Sequence, residues 1–177
     1  MSHISFNTCI EIGCGTGKNT QWLMTKAKEI VAVDLSDAML AKAKEKINDD
    51  KVNFIQADIL QDWAFATKKY ELVSFSLVLE HIQNLEDIFK KVSAIIAPGG
   101  YVYIGELHPF KQYNGSKARF TTGDTEQVVT CFDHNITDFT NAAKVHGFKF
   151  IDIQEFFDDD DRSAVPRILT LLFKYSL

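Results

Sequence analysis

Glu11-Ile12-Gly13-Cys14-Gly15-Thr16-Gly17 lies close to the start of the 177-residue chain, and Val31-Ala32-Val33-Asp34 follows it. The first stretch ends an apolar strand in a loop with three alternating glycines, and the second is an apolar strand that ends in a carboxylate. Glycine is required where the backbone takes a positive φ or approaches a ligand closely. A carboxylate at the tip of the next strand can accept both hydroxyls of a ribose. The two stretches therefore predict a site for a ligand that contains adenosine.

The spacing of the glycines argues against two kinds of phosphate-binding loop. The dinucleotide fingerprint has its third glycine three residues after the second, and that position is Lys18 here. A P-loop has lysine followed by serine or threonine, whereas Lys18 is followed by Asn19. The ligand is therefore predicted to carry adenosine without a pyrophosphate.

Apolar strands and amphipathic helices alternate over the first two thirds of the chain. The predicted strands are Thr8–Ile12, Ile30–Val33, Val52–Gln56, Glu71–Ser76 and Tyr101–Gly105. The predicted helices run from Asn19 to about Lys28, from the N-cap Ser36 to about Ile47, and from the N-cap Asn84 to Pro98. This alternation predicts an α/β fold with a doubly wound, Rossmann-like sheet and helices on both faces.

The alternation stops after the fifth strand. Residues 107–135 show no helical period, and Gly123-Asp124 between Arg119–Thr122 and Thr125–Phe132 predicts a hairpin. A helix with Thr137 as its N-cap follows, and the last two predicted strands are Phe148–Phe157 and Arg167–Tyr175. The sequence thus predicts one domain over residues 1–177, with a hairpin-containing insertion at 107–135.

Composition narrows the classes of partner. The chain has 19 Lys and Arg against 24 Asp and Glu, and the Asp158–Asp161 run adds to its acidity, which argues against a nucleic-acid partner. Cys9, Cys14 and Cys131 have no metal-ligand spacing, so no metal site is predicted. No signal peptide or membrane-spanning run is visible. A cytoplasmic protein is the expectation.

Five motifs in order resemble the class I S-adenosylmethionine-dependent methyltransferases, in particular the small-molecule branch similar to the ubiquinone and menaquinone biosynthesis enzymes. The motifs are residues 11–17, Val33-Asp34-Leu35-Ser36, Gln56-Ala57-Asp58-Ile59, Glu71-Leu72-Val73 continuing into Leu77-Val78-Leu79-Glu80-His81-Ile82, and Ala97-Pro98-Gly99-Gly100. The resemblance spans residues 8–175. It implies a seven-stranded sheet whose last strand lies antiparallel beside the fifth, with S-adenosyl-L-methionine as the cofactor.

The resemblance also implies which residues bind that cofactor. Glu11 and the backbone at Gly13 and Gly15 would hold the methionine amino group, Asp34 the ribose hydroxyls, and Asp58 the exocyclic amine of adenine. Leu35 and Ile59 would pack on the adenine ring. The remaining predicted contacts are the loop residues Cys14 and Gly17 and the strand end at Phe75 and Ser76.

The sequence indicates less about the catalytic residues and the methyl acceptor than about the cofactor site. The catalytic residues stay unknown, with His81, His108, Tyr113 and His134 as candidate general bases, since histidine titrates near neutral pH. The acceptor is expected to be a small molecule whose nucleophilic atom attacks the cofactor methyl in line. Residues 107–135 are expected to cover this acceptor. The same segment is a candidate contact between two copies of the chain in a homodimer.

The sequence is compatible with three functions. About seven residues precede the first strand, whereas enzymes that this chain resembles usually carry N-terminal helices that close the site. The first reading is an active methyltransferase whose cover is the 107–135 segment or a partner subunit. The second is a non-catalytic cofactor-binding or interaction protein, a shortened relative of these enzymes. The third is an NAD-dependent oxidoreductase.

Overall fold

The computed structural model describes residues 4–110, 119–122, 125–128 and 131–176. The strands in these residues are β1 Thr8–Ile12, β2 Glu29–Asp34, β3 Val52–Gln56, β4 Tyr70–Ser76, β5 Ile96–Leu107, β6 Arg119–Thr122, β7 Thr125–Val128, β8 Phe148–Phe156 and β9 Ile168–Tyr175. Seven of them form one sheet in the order β3-β2-β1-β4-β5-β9-β8. Neighbours pair in parallel from β3 to β5, and β9 is antiparallel to both β5 and β8. The predicted α/β fold with an antiparallel last strand is confirmed.

The order of the strands places the candidate site. The chain winds outward from β1 to β3 on one side and from β4 to β5 on the other. The carboxyl ends of β1 and β4 therefore flank a crevice where the winding direction reverses, which is where open α/β sheets bind ligands. The loops after β1, β2, β3 and β4 all open at this edge.

The helices that flank the sheet are α1 Lys18–Leu23, α2 Asp37–Lys46, α3 Leu85–Ile95 and α4 Ile136–Val145, with short 3-10 turns at Leu79–His81 and Asp158–Asp160. Two predicted N-caps are confirmed. The Ser36 hydroxyl accepts a hydrogen bond from the Met39 amide, and the Asn84 side chain accepts from the amides of Glu86 and Asp87. Each cap satisfies amide groups that the first turn of a helix leaves unpaired. Among the described helices, none combines the length and apolar character needed to cross a bilayer.

Several predicted boundaries differ from the structure. The first helix ends at Leu23 rather than near Lys28, and the Thr25 hydroxyl there donates to the Trp22 carbonyl. Side-chain bonds of this kind compete with the helical pattern. The N-cap of α4 is Asn135, not Thr137, because Asp138 falls three residues after Asn135 and completes a capping box.

Strand β5 is longer than predicted at both ends. Its first residue, Ile96, already pairs with Tyr70, and it continues two residues beyond Gly105. The predicted hairpin is present as the antiparallel pair β6 and β7, which forms a sheet of its own. Gly123 and Asp124 lie outside the described residues.

The core lies on both faces of the seven-stranded sheet. The larger cluster packs α3 and α4 against one face, where Phe89 meets the rings of Phe148 and Phe173 edge-on. The smaller cluster packs α1 and α2 against β1 and β2 on the other face, around Leu23 and Leu40. Burial on both faces is the reason β2 has a continuous apolar run, and it holds the strand ends in a fixed arrangement at the crevice.

Candidate active site

The glycine loop after β1 is fastened to the end of β2. The amides of Gly13 and Cys14 donate to the Val33 carbonyl at 2.8 and 3.0 Å. The Gly15 amide donates to Asp34 Oδ2 at 2.7 Å, and the Ser36 amide donates to Asp34 Oδ1 at 2.8 Å. The Asp34 carboxylate thus joins two loops at the mouth of the crevice. Each of its oxygens has a further lone pair for a ligand hydroxyl.

The three glycines of the loop have different surroundings. All three have positive φ, at +73° for Gly13, +53° for Gly15 and +80° for Gly17. A Cβ at Gly13 would lie 2.0 Å from a Val78 methyl carbon, and one at Gly17 would lie 2.8 Å from Ile47 Cδ1. Within the part of the chain that the structure describes, a Cβ at Gly15 would meet nothing within 4 Å. Gly13 and Gly17 therefore allow close packing, whereas the backbone of Gly15 faces open space beside Asp34.

Glu11 is a buried carboxylate at the end of β1. Its Oε2 accepts a hydrogen bond from the Thr20 hydroxyl of α1 at 2.5 Å. Burial raises the pKa of Glu11 to about 7, the negative charge of Asp34 adds to that rise, and the Thr20 bond opposes it. A buried carboxylate with a raised pKa gains most from a cationic partner, because the partner restores the charge that burial disfavours.

A pocket of about 230 Å³ opens next to Glu11, between α1 and the sheet. It is lined by Glu11, Asn19, Trp22, Leu23, Ser74, Phe75, Ser76 and Tyr103. The Ser74 side chain is buried in the wall of this pocket. The pocket is smaller than the ~300–1,000 Å³ of a complete small-molecule site, so it fits one end of an extended ligand.

The other end of such a ligand would lie along the loops after β2 and β3. Leu35 follows Asp34 directly and leaves 66% of its surface exposed, an apolar side chain open to contact. Asp58 and Ile59 follow β3, whose register beside β2 brings the two loops to the same edge. The structure therefore brings the predicted ribose and adenine residues to neighbouring strand ends.

Cys14 lies inside the glycine loop and is buried. Burial, aided by the charges of Glu11 and Asp34, raises the pKa of its thiol to about 12. The thiol therefore stays protonated at neutral pH and is a poor nucleophile. Its contribution to the loop is its small size and its backbone.

The candidate general bases lie in different surroundings. His81 ends the 3-10 turn after β4, with Nε2 4.0 Å from Glu80 Oε1 and Nδ1 3.8 Å from Cys131 Sγ. His108 is buried, accepts the Phe110 amide at Nδ1, and has Nε2 3.0 Å from Glu155 Oε1. Since Nδ1 accepts, Nε2 of a neutral ring carries the proton. The His108 ring is therefore occupied at both nitrogens.

The other two candidate general bases are His134 and Tyr113. His134 is buried and its Nε2 lies 2.7 Å from the Ile82 carbonyl, to which it donates. Its ring also meets Phe139 edge-on. Tyr113 lies outside the described residues.

Glu106 is a second buried carboxylate at this edge, and the sequence interpretation missed it. From the carboxyl end of β5, its Oε1 accepts the amides of Val78 and Leu79 at 3.0 and 2.9 Å. Its Oε2 is buried with no hydrogen-bond partner among the described residues. Glu106 thereby fixes the turn that packs Val78 against Gly13.

Comparison with known proteins identifies the family. A family model described as a methyltransferase domain matches residues 10–104, more than half of the chain. The chain belongs to this methyltransferase family. The matched segment contains the glycine loop, Asp34, Asp58 and the strand ends that line the crevice. S-adenosylmethionine is the cofactor of the family, and the matches give no support to an NAD-dependent oxidoreductase.

Three similar proteins show how far the likeness extends. The chain is 27% identical over 162 residues to a malonyl-[acyl-carrier protein] O-methyltransferase of Priestia megaterium, covering 89% of this chain and 53% of that protein. It is 31% identical over 106 residues to a trans-aconitate 2-methyltransferase of an Acidovorax species, covering 59% of this chain and 40% of that protein. The structure of an S-adenosylmethionine-dependent methyltransferase from Listeria monocytogenes matches with a TM-score of 0.80 at 22% identity. The match covers 98% of this chain and 92% of that one. The chain thus spans about half the length of the curated relatives it matches.

The methyltransferase cofactor fits the residues at the crevice. Its cationic amino group suits the buried Glu11 carboxylate and the neighbouring Ser74 hydroxyl in the wall of the pocket. Its ribose suits Asp34, and the open backbone at Gly15 leaves space for it. The lack of a lysine or arginine among the residues that line the 230 Å³ pocket suits a ligand with a positively charged sulfur.

Several of these methyltransferase residues could not be found from sequence motifs. Thr20, Ser74 and Tyr103 reach the site through the packing of α1, β4 and β5. Glu106 carried one usable signal, an acidic residue near the end of an otherwise apolar strand. That signal indicates the carboxyl edge of the sheet but gives no indication of which backbone groups the acid binds.

Glu106 gives a prediction for stability against pH. Burial, together with the nearby Glu80 charge, raises the pKa of Glu106 from its ordinary value of 4.5 to about 7. The folded protein therefore holds this proton more tightly than the unfolded chain, so stability is lost as pH rises from about 4.5 through about 7. We expect Glu106→Gln to gain on the order of 1–3 kcal/mol over wild type between pH 5 and pH 8. Calorimetric melting across that range measures the difference.

The matched control is Glu45→Gln on the exposed surface of α2. Its melting curves should follow those of wild type at every pH. Glu11, whose pKa is also raised to about 7, titrates in all three proteins and therefore cancels from the comparison. Parallel curves for wild type and Glu106→Gln from pH 5 to 8 would contradict the assignment.

Proposed function

We propose that this chain transfers the methyl group of S-adenosylmethionine to a small-molecule acceptor. The observation that carries the proposal is the Asp34 carboxylate, which binds the amides of Gly15 and Ser36 beside an open stretch of glycine backbone. This arrangement offers acceptor oxygens to a ribose and close approach to the loop. Membership of the methyltransferase family supports the same reading.

The residues have separate binding roles in this proposal. When bound, the cofactor supplies a methyl group on a sulfonium, which is already activated for transfer. Glu11 and Ser74 hold its amino-acid end in the 230 Å³ pocket, where Phe75 and Ser76 complete the wall. Asp34 orients the ribose, and Leu35, Asp58 and Ile59 bind the adenine. Holding two reactants in line can lower a barrier by roughly 7–11 kcal/mol, so positioning supplies most of the rate.

His81 is the general base that we propose for acceptors that must lose a proton. It lies at the carboxyl edge, at the end of the turn that follows β4, and the Glu80 carboxylate is 4.0 Å from its Nε2. Burial raises the pKa of Glu80, and the neighbouring His81 opposes that rise. The observation that supports His81 for this role is its place at the end of the turn that follows β4.

The acceptor side and the setting of the protein belong to the same proposal. The relatives named above act on malonyl-[acyl-carrier protein] and trans-aconitate, and we propose an organic small molecule here. Residues 1–177 would act as one cytoplasmic domain, with residues 107–135 covering the acceptor or joining a second copy. The separation of β6 and β7 from the main sheet supports a distinct role for that segment.

A labelled-methyl assay tests the proposal. The protein is mixed with S-adenosylmethionine carrying a radioactive methyl group and with fractions of a small-molecule metabolite extract. We expect label in a small-molecule product with wild type and on the order of 100-fold less product with Asp34→Ala when the cofactor is below saturation. Tight cofactor binding with no labelled product in any fraction would instead support the non-catalytic reading.

A further inference from the structure

Lys91 of α3 makes an unusual set of contacts outside the motifs. Its Nζ donates to three successive backbone carbonyls, those of Ile59 at 2.9 Å, Leu60 at 2.8 Å and Gln61 at 2.8 Å. A lysine ammonium has three protons, so these bonds use all of them. The side chain is half-buried, which shields the charge from water. Lys91 therefore holds the loop after β3 from a helix about thirty residues further along the chain.

The same loop is fastened on its other side by Asp58. The Leu60 amide donates to Asp58 Oδ1 at 2.9 Å, and the Gln61 amide donates to the Asp58 carbonyl at 3.0 Å. The carbonyls turn toward Lys91 while the amide of Leu60 turns toward the Asp58 carboxylate. Trp63 adds a further bond, from Nε1 to the Ile59 carbonyl at 2.9 Å. Gln61 Nε2 also donates to Asp58 Oδ2 at 3.4 Å, so both carboxylate oxygens of Asp58 bond to the loop whose carbonyls Lys91 binds.

Three neighbouring carbonyls directed at one point repel one another unless a cation lies there. A nearby positive charge stabilises carbonyl oxygens in the same way as at the carboxyl end of a helix, and hydrogen bonds from a charged donor are about twice as strong as neutral ones. Without the ammonium, the carbonyls of Leu60 and Gln61 lose the charged donor that holds them, while the Ile59 carbonyl keeps its bond from Trp63 Nε1. The Leu60 amide would then leave Asp58 Oδ1.

We propose that Lys91 is a positioning residue that sets the Asp58 carboxylate for recognition of the adenine base. The proposal rests on the proposed function, in which Asp58 accepts the exocyclic amine of adenine and Ile59 covers the ring. Lys91 itself lies behind the loop and contacts its carbonyls. Replacing Lys91 should therefore change the selectivity of binding for the base. The contacts of the protein with the ribose and with the amino-acid end of the cofactor should stay unchanged.

The test compares two ligands and three proteins by titration calorimetry. The ligands are S-adenosylhomocysteine and S-inosylhomocysteine, in which hypoxanthine places an oxygen where adenine has its amino group. The proteins are wild type, Lys91→Met, and the control Lys90→Met, whose side chain is exposed on the same helix. We expect Lys91→Met to bind the adenosyl ligand about tenfold more weakly, since about one net hydrogen bond is lost. The inosyl ligand should lose less affinity, because it shares the contact of its ring with Ile59 but not the bond to Asp58. Lys90→Met should match wild type with both.

Hydrogen exchange of the free proteins gives an independent readout. In Lys91→Met the Leu60 amide should exchange faster than in wild type, because its bond to Asp58 is lost, whereas amides of β1 and β4 should not change. Equal loss of affinity for both ligands, or no loss for either, would overturn the proposal. If wild type binds neither ligand, the proposed function itself fails, and that outcome is distinct because it appears without any substitution.

Discussion

Replacing Asp34 with alanine should weaken the binding of S-adenosylhomocysteine by about 3 kcal/mol, on the order of 100-fold. Loss of ribose contacts alone accounts for only part of this effect. Asp34 also accepts the amides of Gly15 and Ser36, so its removal frees the glycine loop from the end of β2. The loop then has to be ordered by the ligand, and binding pays that additional cost. Titration calorimetry of the variant measures the loss.

Two variants make the Asp34 result specific. Asp34→Asn keeps one acceptor oxygen and should lie between wild type and Asp34→Ala. Asp37→Ala, on the exposed first turn of α2, removes a carboxylate nearby and should leave affinity within about twofold of wild type, because an exposed charge at a helix start contributes only about 0.3–1 kcal/mol to helix stability. Unchanged affinity of Asp34→Ala would show that the carboxylate does not bind the ligand.

Gly15→Ala should also reduce affinity by about 3 kcal/mol, on the order of 100-fold. The substitution places a methyl group in the open space beside Asp34, where the loop backbone has to approach the cofactor. It also places a non-glycine residue at a φ of +53°, which costs roughly 1 kcal/mol of stability. The measurements are calorimetric binding of S-adenosylhomocysteine and thermal melting of the free protein.

Gly99→Ala separates backbone strain from loss of the ligand site. Gly99 has a φ of +75°, and a Cβ there would come no closer than 4.0 Å to Lys174 Cε. It lies in the unpaired stretch of β5 between Ile96 and Tyr101, toward the opposite end of the strand from Glu106. Its alanine variant should lose similar stability and keep full affinity. Equal affinity losses in the two variants would mean that Gly15 acts only through strain.

The sequence predicted the parts of the site that depend on local patterns. Glycines at alternate positions, a carboxylate ending the next strand, and the caps Ser36 and Asn84 all follow from short-range rules. The order of strands and helices followed from the alternation of apolar and amphipathic segments. The strand order and the antiparallel last strand then followed from the family that the motifs resemble.

The remaining parts depend on contacts between distant residues. Glu106 reaches the amides of Val78 and Leu79 across 28 and 27 residues, and a pattern read along the chain cannot indicate which amides an acid will meet. Lys91 likewise contacts a loop some thirty residues earlier. The predicted N-cap of α4 was wrong for a local reason, because Asn135 forms a capping box with Asp138 and Thr137 has no such partner three residues later. Packing decides the long-range contacts, and only the structure shows them.

The central claim is that the glycine loop and Asp34 form a methyltransferase cofactor site. Calorimetric titration of the wild-type protein with S-adenosylhomocysteine, and separately with NAD, tests it most directly. We expect saturable binding of S-adenosylhomocysteine to a single site per chain and no response to NAD. The Gly13, Gly15 and Gly17 loop lacks the third fingerprint glycine that a pyrophosphate requires. Binding of NAD with no response to S-adenosylhomocysteine would contradict the claim.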